Sequence, residues 1–375
     1  MKIRIDTGSL STKNPSGVGY FTQLLTESLS KQKDTTVRSF SFNFLNRQPK
    51  PILNKNIYLE TNYLFPLRFY AKAQSLNLAT PFDTLLPKVD LTIFPNYARW
   101  PSIKSKVTAT TVHDLTYIHY PELVEDKNLL HLRRVVPRAM KQSDFIITVS
   151  ESIKAELITE FNISPSRVVV TPIPPDESFY KKNNNEIHSK YSIPTEKYIF
   201  FIGNLEPRKN IPLLVEAYSK LPKNIQNEYS LVISGGAGWK SEKTMESINT
   251  AKNSGLNVIH TGYIDNKDKS ALYQKASLFV LPSSYEGFGM PILEAAASKT
   301  PVVSTDIPVL KEAGGNGALY FKQGDSNDLA SKIKEVLTSK TLGNSLVKKA
   351  SLHLNSFSWD TNAKTVINKA RKYMK

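Results

Sequence analysis

The 375-residue chain has no cysteine. That excludes disulfides and every zinc or iron–sulfur site built on thiolates, and it fits a cytosolic protein. Histidine is scarce, with six residues, and positions 113, 119, 131, 188, 260 and 353 show no paired spacing of the kind that holds a metal. There is no D-x-D pair to carry a divalent ion, so no metal is expected. No apolar run approaches the ~20 residues of a membrane-crossing helix. The opening MKIRIDTGSL reads as the start of a strand and not as a secretory leader, because no apolar stretch follows it. Zinc-finger, homeodomain and RNP patterns are missing, and no repeat of fixed period is found.

The charge balance is not neutral. Forty-nine basic residues against 33 acidic ones leave a formal +16. The excess is spread evenly, with 24 basic and 16 acidic residues up to position 185 and 25 and 17 beyond it. With no basic arm or tail, the distribution favours anionic small molecules or an anionic surface over a nucleic-acid grip, or simply a generic basic exterior. The length suits two domains, each large enough for its own core.

The stretch 281–305, LPSSYEGFGMPILEAAASKTPVVST, organises the rest. Short apolar runs at 278–281 and 301–304 read as buried strands, and an apolar helical pattern lies between them. This is a strand–loop–helix–strand unit. Pro291 suits the first turn of the helix, where its missing N–H costs nothing. Glu286 is thereby placed in the glycine-bearing loop and Glu294 about one turn into the helix. Between them the loop backbone and the helix start offer N–H groups and a positive dipole end to an anion. A phosphate flanked by hydroxyl-bearing groups, as in a nucleotide-sugar, fits that arrangement. Two ordinary surface glutamates are the alternative.

Strands are expected at 2–6, 37–44, 91–94, 106–112, 145–149 and 167–171, and helices at 129–140 and 150–161, the latter capped by Ser150. Helical periodicity starts at Phe21, after a loop ending in Gly17-Val18-Gly19. His113 and Asp114 stand at the carboxyl end of the 106–112 strand, where parallel sheets bind ligands; a locally satisfied histidine is the alternative. The aromatic run 62–70, NYLFPLRFY, reads as a loop covering the core or as a lip for a greasy acceptor or a membrane surface. TPIPPDESFYKKNNN, 171–185, reads as a linker, so domains are set at 1–175, joined by 358–375, and at 195–357. In the second domain Arg208 and Lys209 stand between strand and helix, where two cations can meet a pyrophosphate. The next strands end in small-residue turns at Gly235 and at Gly262-Tyr263, which let a flat base lie against backbone; the first strand ends at Gly203.

Taken together, EGFGMPILE, GNLEPRKN, SGVGYF and VHDL resemble the retaining glycosyltransferases of family four, and the resemblance runs from the first strand to FSW at 357–359. It implies the GT-B fold: two Rossmann-like parallel-sheet α/β domains facing across a cleft, with the C-terminal helix crossing back to the first. It further implies that Glu294 holds the ribose and that Glu286 contacts the transferred sugar. Gly287, Phe288, Gly289 and Met290 would present backbone to sugar and phosphate. Arg208 and Lys209 would neutralise the departing diphosphate, His113 would touch the donor sugar, and Gly17 and Gly19 would let the first domain approach it. GGAGWK and HDLTY look most like enzymes that use GDP-mannose in bacterial surface polysaccharide synthesis, with a UDP-sugar as the other option. The implied reaction is metal-independent hexosyl transfer with retention to a saccharide or lipid-linked saccharide. No cofactor or nucleic acid takes part, and the enzyme is cytoplasmic, with peripheral contact to the inner membrane face as a further expectation. A GT-B epimerase, phosphorylase or nucleotide-sugar hydrolase is the enzymatic alternative, and a non-catalytic basic binding protein the other.

Overall fold

The computed structural model describes residues 1–11, 17–63, 65–76 and 78–374. They form two compact units. The first comprises Met1–Ile118, Asp126–Ile173 and Ser358–Lys375; the second comprises His119–Glu125 and Pro174–Phe357.

The first unit is built on a seven-stranded sheet of order β3-β2-β1-β4-β5-β6-β7. Its strands are β1 (Lys2–Asp6), β2 (Thr36–Phe42), β3 (Tyr58–Asn62), β4 (Val89–Phe94), β5 (Ser105–Val112), β6 (Phe145–Thr148) and β7 (Val168–Val170). All the pairings are parallel. The central strands β1, β4, β5 and β6 are buried along most of their length, and polar side chains among them, Arg4, Thr92, Thr110 and Thr148, are met by hydrogen bonds. Helix α1 (Gly17–Ser30) follows β1, α2 (Leu67–Ser75) follows β3, and α3 (Asp126–Gln142) precedes β6. The last helix, Trp359–Tyr373, belongs to this unit: Trp359 packs on Phe21 at 5.9 Å between ring centroids, and Asn362 Nδ2 donates to the Pro172 carbonyl at 2.6 Å.

Aromatic residues spread along the chain gather beside β2. Phe40, Phe42, Tyr70, Phe82, Phe94 and Trp100 make one buried cluster. Arg4 is wholly buried, yet its charge is met: Nε donates to Glu60 at 2.7 Å and Nη2 to the Pro87 carbonyl at 2.7 Å. A buried guanidinium is tolerated only with such partners.

The second unit has a six-stranded sheet of order β10-β9-β8-β11-β12-β13, again parallel at every pairing. The strands are β8 (Tyr198–Ile202), β9 (Ser230–Ser234), β10 (Val258–Gly262), β11 (Leu278–Leu281), β12 (Val302–Thr305) and β13 (Ala318–Phe321). Helices α4 (Ile211–Ser219) and α5 (Met290–Ala297) follow β8 and β11.

Several expectations need correction. Gly17 and Gly19 lie in the first turn of α1 and not in a loop; residues 12–16 of that expected loop are outside the described residues. The run 62–70 is neither loop nor lip alone, since β3 ends at Asn62 and α2 starts at Leu67, with Tyr70 buried in the aromatic cluster. The expected linker is partly structured on the second unit: Phe179 is buried against Tyr273 at 5.8 Å, and Asn183 Nδ2 donates to the Lys267 carbonyl at 2.7 Å. His119–Glu125 clusters with the second unit although the sequence around it belongs to the first. Tyr120 packs on Tyr285 at 5.3 Å, and the Glu122 carbonyl accepts from Lys240 Nζ at 2.9 Å. The helix Lys340–His353 was not anticipated.

Neighbouring strand ends in the second unit approach closely. A Cβ on Gly235, whose φ is 139°, would lie 1.9 Å from the Gly203 carbonyl oxygen. Gly235→Ala is therefore expected to lower unfolding free energy by about 3 kcal/mol or more, because backbone must move and the φ is strained. Denaturant titration checks this, and an unchanged midpoint would contradict the tight packing of these two turns.

Candidate functional site

Both sheets reverse their strand order once. In the second unit the chain lays down β8, adds β9 and β10 on one side, then returns to place β11, β12 and β13 on the other. The reversal lies between β8 and β11, and in open parallel sheets that is where the ends of the two outgoing loops leave a ligand crevice. The loops here are 203–210 and 282–289. The first carries the single turn Pro207–Lys209, and Asn210 then adopts a left-handed conformation to enter α4. The second ends at Gly289, which caps α5 with φ 102°; a Cβ there would sit 2.8 Å from Leu310 Cδ2. The loops are tied together, since the Ser284 N–H donates to the Arg208 carbonyl at 2.8 Å.

Their side chains meet at Glu286. Arg208 Nη1 donates to Oε2 at 2.6 Å, while Lys209 Nζ and the Ser283 hydroxyl, at 2.7 Å, donate to Oε1. Arg208 Nε also donates to Glu206 at 3.0 Å. Glu286 is 7% exposed. Burial alone would raise its pKa, but Lys209 and Arg208 overcome that and hold it down at about 2. Burial and the neighbouring Arg208 push Lys209 below the usual lysine range, against the pull of Glu286. The expected meeting of Arg208, Lys209 and Glu286 is therefore present, with a difference in geometry: Glu286 is a direct partner of both cations, not a carboxylate standing apart from them. The Arg208 guanidinium is thus shared between Glu286 and Glu206.

Glu294 sits in α5, buried, one turn in from Gly289. Its Oε2 accepts from the Tyr273 hydroxyl at 2.9 Å, and Lys269 Nζ lies 3.4 Å from Oε1. Burial first, and Glu294 second, raise the Tyr273 hydroxyl well above its ordinary pKa, so it stays a donor. A carboxylate has about four acceptor positions, which leaves room for a ligand hydroxyl. Met290 and Pro291 open α5, Gly287 is in the loop before it, and the Phe288 ring turns into the core against Phe357 at 5.8 Å. Gly203, Gly235 and Gly262 follow or end β8, β9 and β10 at the same edge of the sheet: the Gly203 N–H donates to the Ser234 carbonyl at 3.0 Å and the Gly235 N–H to the Gly262 carbonyl at 2.8 Å. Tyr263 is exposed beside them.

His113 lies in the first unit. Its Nε2 is 2.7 Å from the Pro95 carbonyl, which can only accept, so Nε2 carries the proton and Nδ1 is the acceptor nitrogen. Burial lowers its pKa, opposed by that carbonyl and by Asp114, which favours the neutral ring. Phe21 of α1 meets the ring edge-on at 5.0 Å and Tyr97 at 5.8 Å. Pro95 directly follows β4, so His113 is fastened to one side of the β1/β4 reversal of its own sheet. Gly17 and Gly19 are in the helix that carries Phe21. Among the described residues no group of three His, Asp or Glu side chains converges as a cation would require.

Several contributors were not singled out from the sequence. Ser283 is an unremarkable loop serine. Tyr273 and Lys269 lie in a helix whose spacing reads as ordinary core and surface. Pro95 carries its acceptor on the backbone, where sequence holds no sign of it.

Two family models match the chain: Glycosyltransferase Family 4 over residues 15–178 and Glycosyl transferases group 1 over residues 183–353. The fold and site thus define a glycosyltransferase of the GT-B class. The chain belongs to glycosyltransferase family four, the two models together matching residues 15–178 and 183–353. It is 29% identical over 262 residues to the O-antigen chain mannosyltransferase B of Escherichia coli, spanning 69% of this chain and 68% of that one. It is also 29% identical over 269 residues to the serotype-specific mannosyltransferase WbdA of the same species, where the match spans 69% of this chain and only 33% of the relative. Among solved structures it is similar to sucrose-phosphate synthase from Thermosynechococcus elongatus, with TM-score 0.76, 17% identity and coverage of 99% and 98%. It is likewise similar to Anabaena Alr3699/HepE in complex with UDP and glucose, with TM-score 0.68, 17% identity and coverage of 99% and 100%.

The charge state of Glu286 makes a stability prediction. A carboxylate whose folded-state pKa lies below its unfolded value adds stability above the unfolded value and loses it as pH falls toward the folded one. Glu286→Gln is thus expected to cost on the order of 2–4 kcal/mol at pH 7, because it also leaves Lys209 buried without its partner. The gap from the unaltered protein should narrow as pH falls from about 4.5 toward about 2. Denaturant midpoints across that range check it; a gap independent of pH would refute the ionised state of Glu286.

Proposed function

We propose that the protein transfers a hexose, mannose or a close relative, from a nucleoside-diphosphate sugar to a saccharide or lipid-linked saccharide, with retention of anomeric configuration. The observation that carries this reading is the convergence of Arg208, Lys209 and Glu286 at the β8/β11 reversal, beside the Gly289 start of α5. The bond from the anomeric carbon to the diphosphate breaks, leaving positive charge on the sugar ring and negative charge on the departing phosphate. Arg208 and Lys209 receive the phosphate charge without a divalent ion. The acceptor oxygen bonds to the same face of the anomeric carbon, and its proton passes to the leaving phosphate oxygen. Glu294 takes the ribose hydroxyls, Gly203, Gly235 and Gly262 with Tyr263 border the base, and Glu286 and the 287–290 backbone contact the sugar. His113, neutral and with Nδ1 as its acceptor nitrogen, serves a sugar hydroxyl.

GDP-mannose is the first donor to test, because the curated relatives are mannosyltransferases by name. A UDP-sugar is the second, since a neighbour of the same fold was solved with UDP and glucose. A lipid-linked acceptor is supported by the first unit, where an apolar groove of about 700 Å³ is lined by Tyr63, Phe65, Phe82, Leu85, Leu86 and Ile103. Phe69, next to it on α2, is 72% exposed. Among the described residues no helix is long and apolar enough to cross a membrane, so attachment to the inner membrane face would be peripheral, through this surface.

Arg208→Ala and Lys209→Ala are each expected to keep the circular-dichroism spectrum of the parent while losing about 10²–10³-fold in sugar transfer, the usual cost of removing one group that stabilises developing charge. Near-normal rates in both would sink the role given to these two cations, and no transfer from any nucleoside-diphosphate sugar by the unaltered protein would sink the proposal. Full activity in excess EDTA is expected, and a loss restored by a divalent ion would overturn the metal-independent part. Rapid donor consumption without acceptor would instead identify a hydrolase.

A further inference from the structure

A cationic hollow lies wholly within the first unit. It measures about 320 Å³ and is lined by Lys72 of α2, Arg99 and Trp100 of the segment after β4, and His131, Arg134 and Arg138 of α3. Among the described residues four permanently or normally charged cations share this space and no carboxylate lines it. Asp83 and Asp144 act on Arg99 from outside the lining.

Three further features indicate that the hollow is built and is not a chance cluster of surface arginines. Arg99 Nε is buried with no hydrogen-bond partner, and such donors are normally satisfied. The walls are cross-linked: Gln74 Nε2 donates to the Arg99 carbonyl at 2.5 Å, and Arg138 Nη1 donates to the Gln74 carbonyl at 3.0 Å. Trp100 is fastened to the end of β1, its Nε1 donating to Asp6 at 2.7 Å. The hollow therefore sits at the outgoing ends of β1 and β4, the reversal point of this sheet. His131, exposed at the rim, is held below its usual pKa first by partial desolvation of its ring and then by Arg134.

We infer that this hollow binds an anionic group of the acceptor, a phosphate or a carboxylate, through Arg99, Arg134 and Arg138. The guanidinium fork matches both oxyanions in geometry. The assignment to the acceptor rests on the transferase reading above, whereas the anion site itself does not. Helix α2 separates this hollow from the apolar groove, for Tyr70 lines the groove and Ala71, Lys72 and Gln74 line the hollow. One element thus offers a polar, cationic face and an apolar one.

The test uses Trp100 as its reporter. The chain has three tryptophans, so Trp239→Phe with Trp359→Phe leaves only the one in the hollow. Its fluorescence is followed during titration with inorganic diphosphate and, separately, with glucuronate, at constant ionic strength to hold screening fixed. A saturable change is expected with at least one of them; the stronger response tells a phosphate-bearing acceptor from an acidic sugar. Arg134 is exposed, so Arg134→Glu should leave the fold intact while weakening binding at least tenfold. Arg133→Glu makes the same charge change on the opposite face of α3, and Lys209→Ala alters the other unit; each should leave the Trp100 response within twofold. Calorimetric titration on a Lys209→Ala background, which weakens the diphosphate site proposed for the second unit, repeats the Arg134→Glu comparison with all tryptophans present should the double substitution disturb packing. No saturable response to either anion, or a response indifferent to Arg134→Glu, overturns the site. If the unaltered protein transfers sugar from no nucleoside-diphosphate sugar while the hollow still binds diphosphate, the transferase reading fails and the anion site stands.

Discussion

A carboxylate that must stay charged while buried governs the second unit. Glu286 accepts from Arg208, Lys209 and Ser283, and its own cost of burial is met only while all three remain in place. Because two of those donors leave β8 and the other, like Glu286 itself, leaves β11, the contact also fixes the relation of the two loops at the sheet's reversal. The same groups that would meet a diphosphate are held in position by a side chain that competes for them. Such an arrangement keeps cations ordered in the absence of ligand, so less ordering remains to be done when an anion arrives.

The two units solve one topological problem twice. Each places its chemistry where strand order reverses, and each uses backbone as much as side chains to do so. In the first unit the Pro95 carbonyl sets the tautomer of His113, and the segment that follows supplies Arg99 and Trp100. In the second, glycines let adjacent turns come within contact distance, as Gly235 does against the Gly203 carbonyl. The shared logic puts the Arg208–Lys209–Glu286 cluster at the reversal of one sheet and the hollow with Arg99 and Trp100 at the reversal of the other.

Much of this was legible beforehand. The β11–loop–α5 unit could be read from an apolar strand, two glycines, a proline at the helix start and two glutamates eight positions apart. The buried strands of the second unit stood out because helices cover both their faces, leaving continuous apolar runs such as YIFFI. Residues 31–100 were harder, since β3 is an edge strand with a half-exposed sequence, YLETN, and α2 is short with aromatic residues on more than one face. The partners of Glu294 were hidden for another reason. Tyr273 and Lys269 come from a separate helix, and a tyrosine at core spacing gives no sign that its hydroxyl meets a carboxylate. The first turn of α1 was misplaced because glycine-rich stretches usually read as turns, while here Gly17 and Gly19 are helical.

The interleaved assignment of chain to the two units bears on how such enzymes can be recombined. His119–Glu125 goes with the second unit and Ser358–Lys375 with the first. A hybrid made by a single cut near residue 174 would separate Tyr120 from the Tyr285 ring and Trp359 from Phe21. Exchange of second units between homologues must therefore splice at four joints, carrying the seven-residue excursion with one half and the terminal helix with the other.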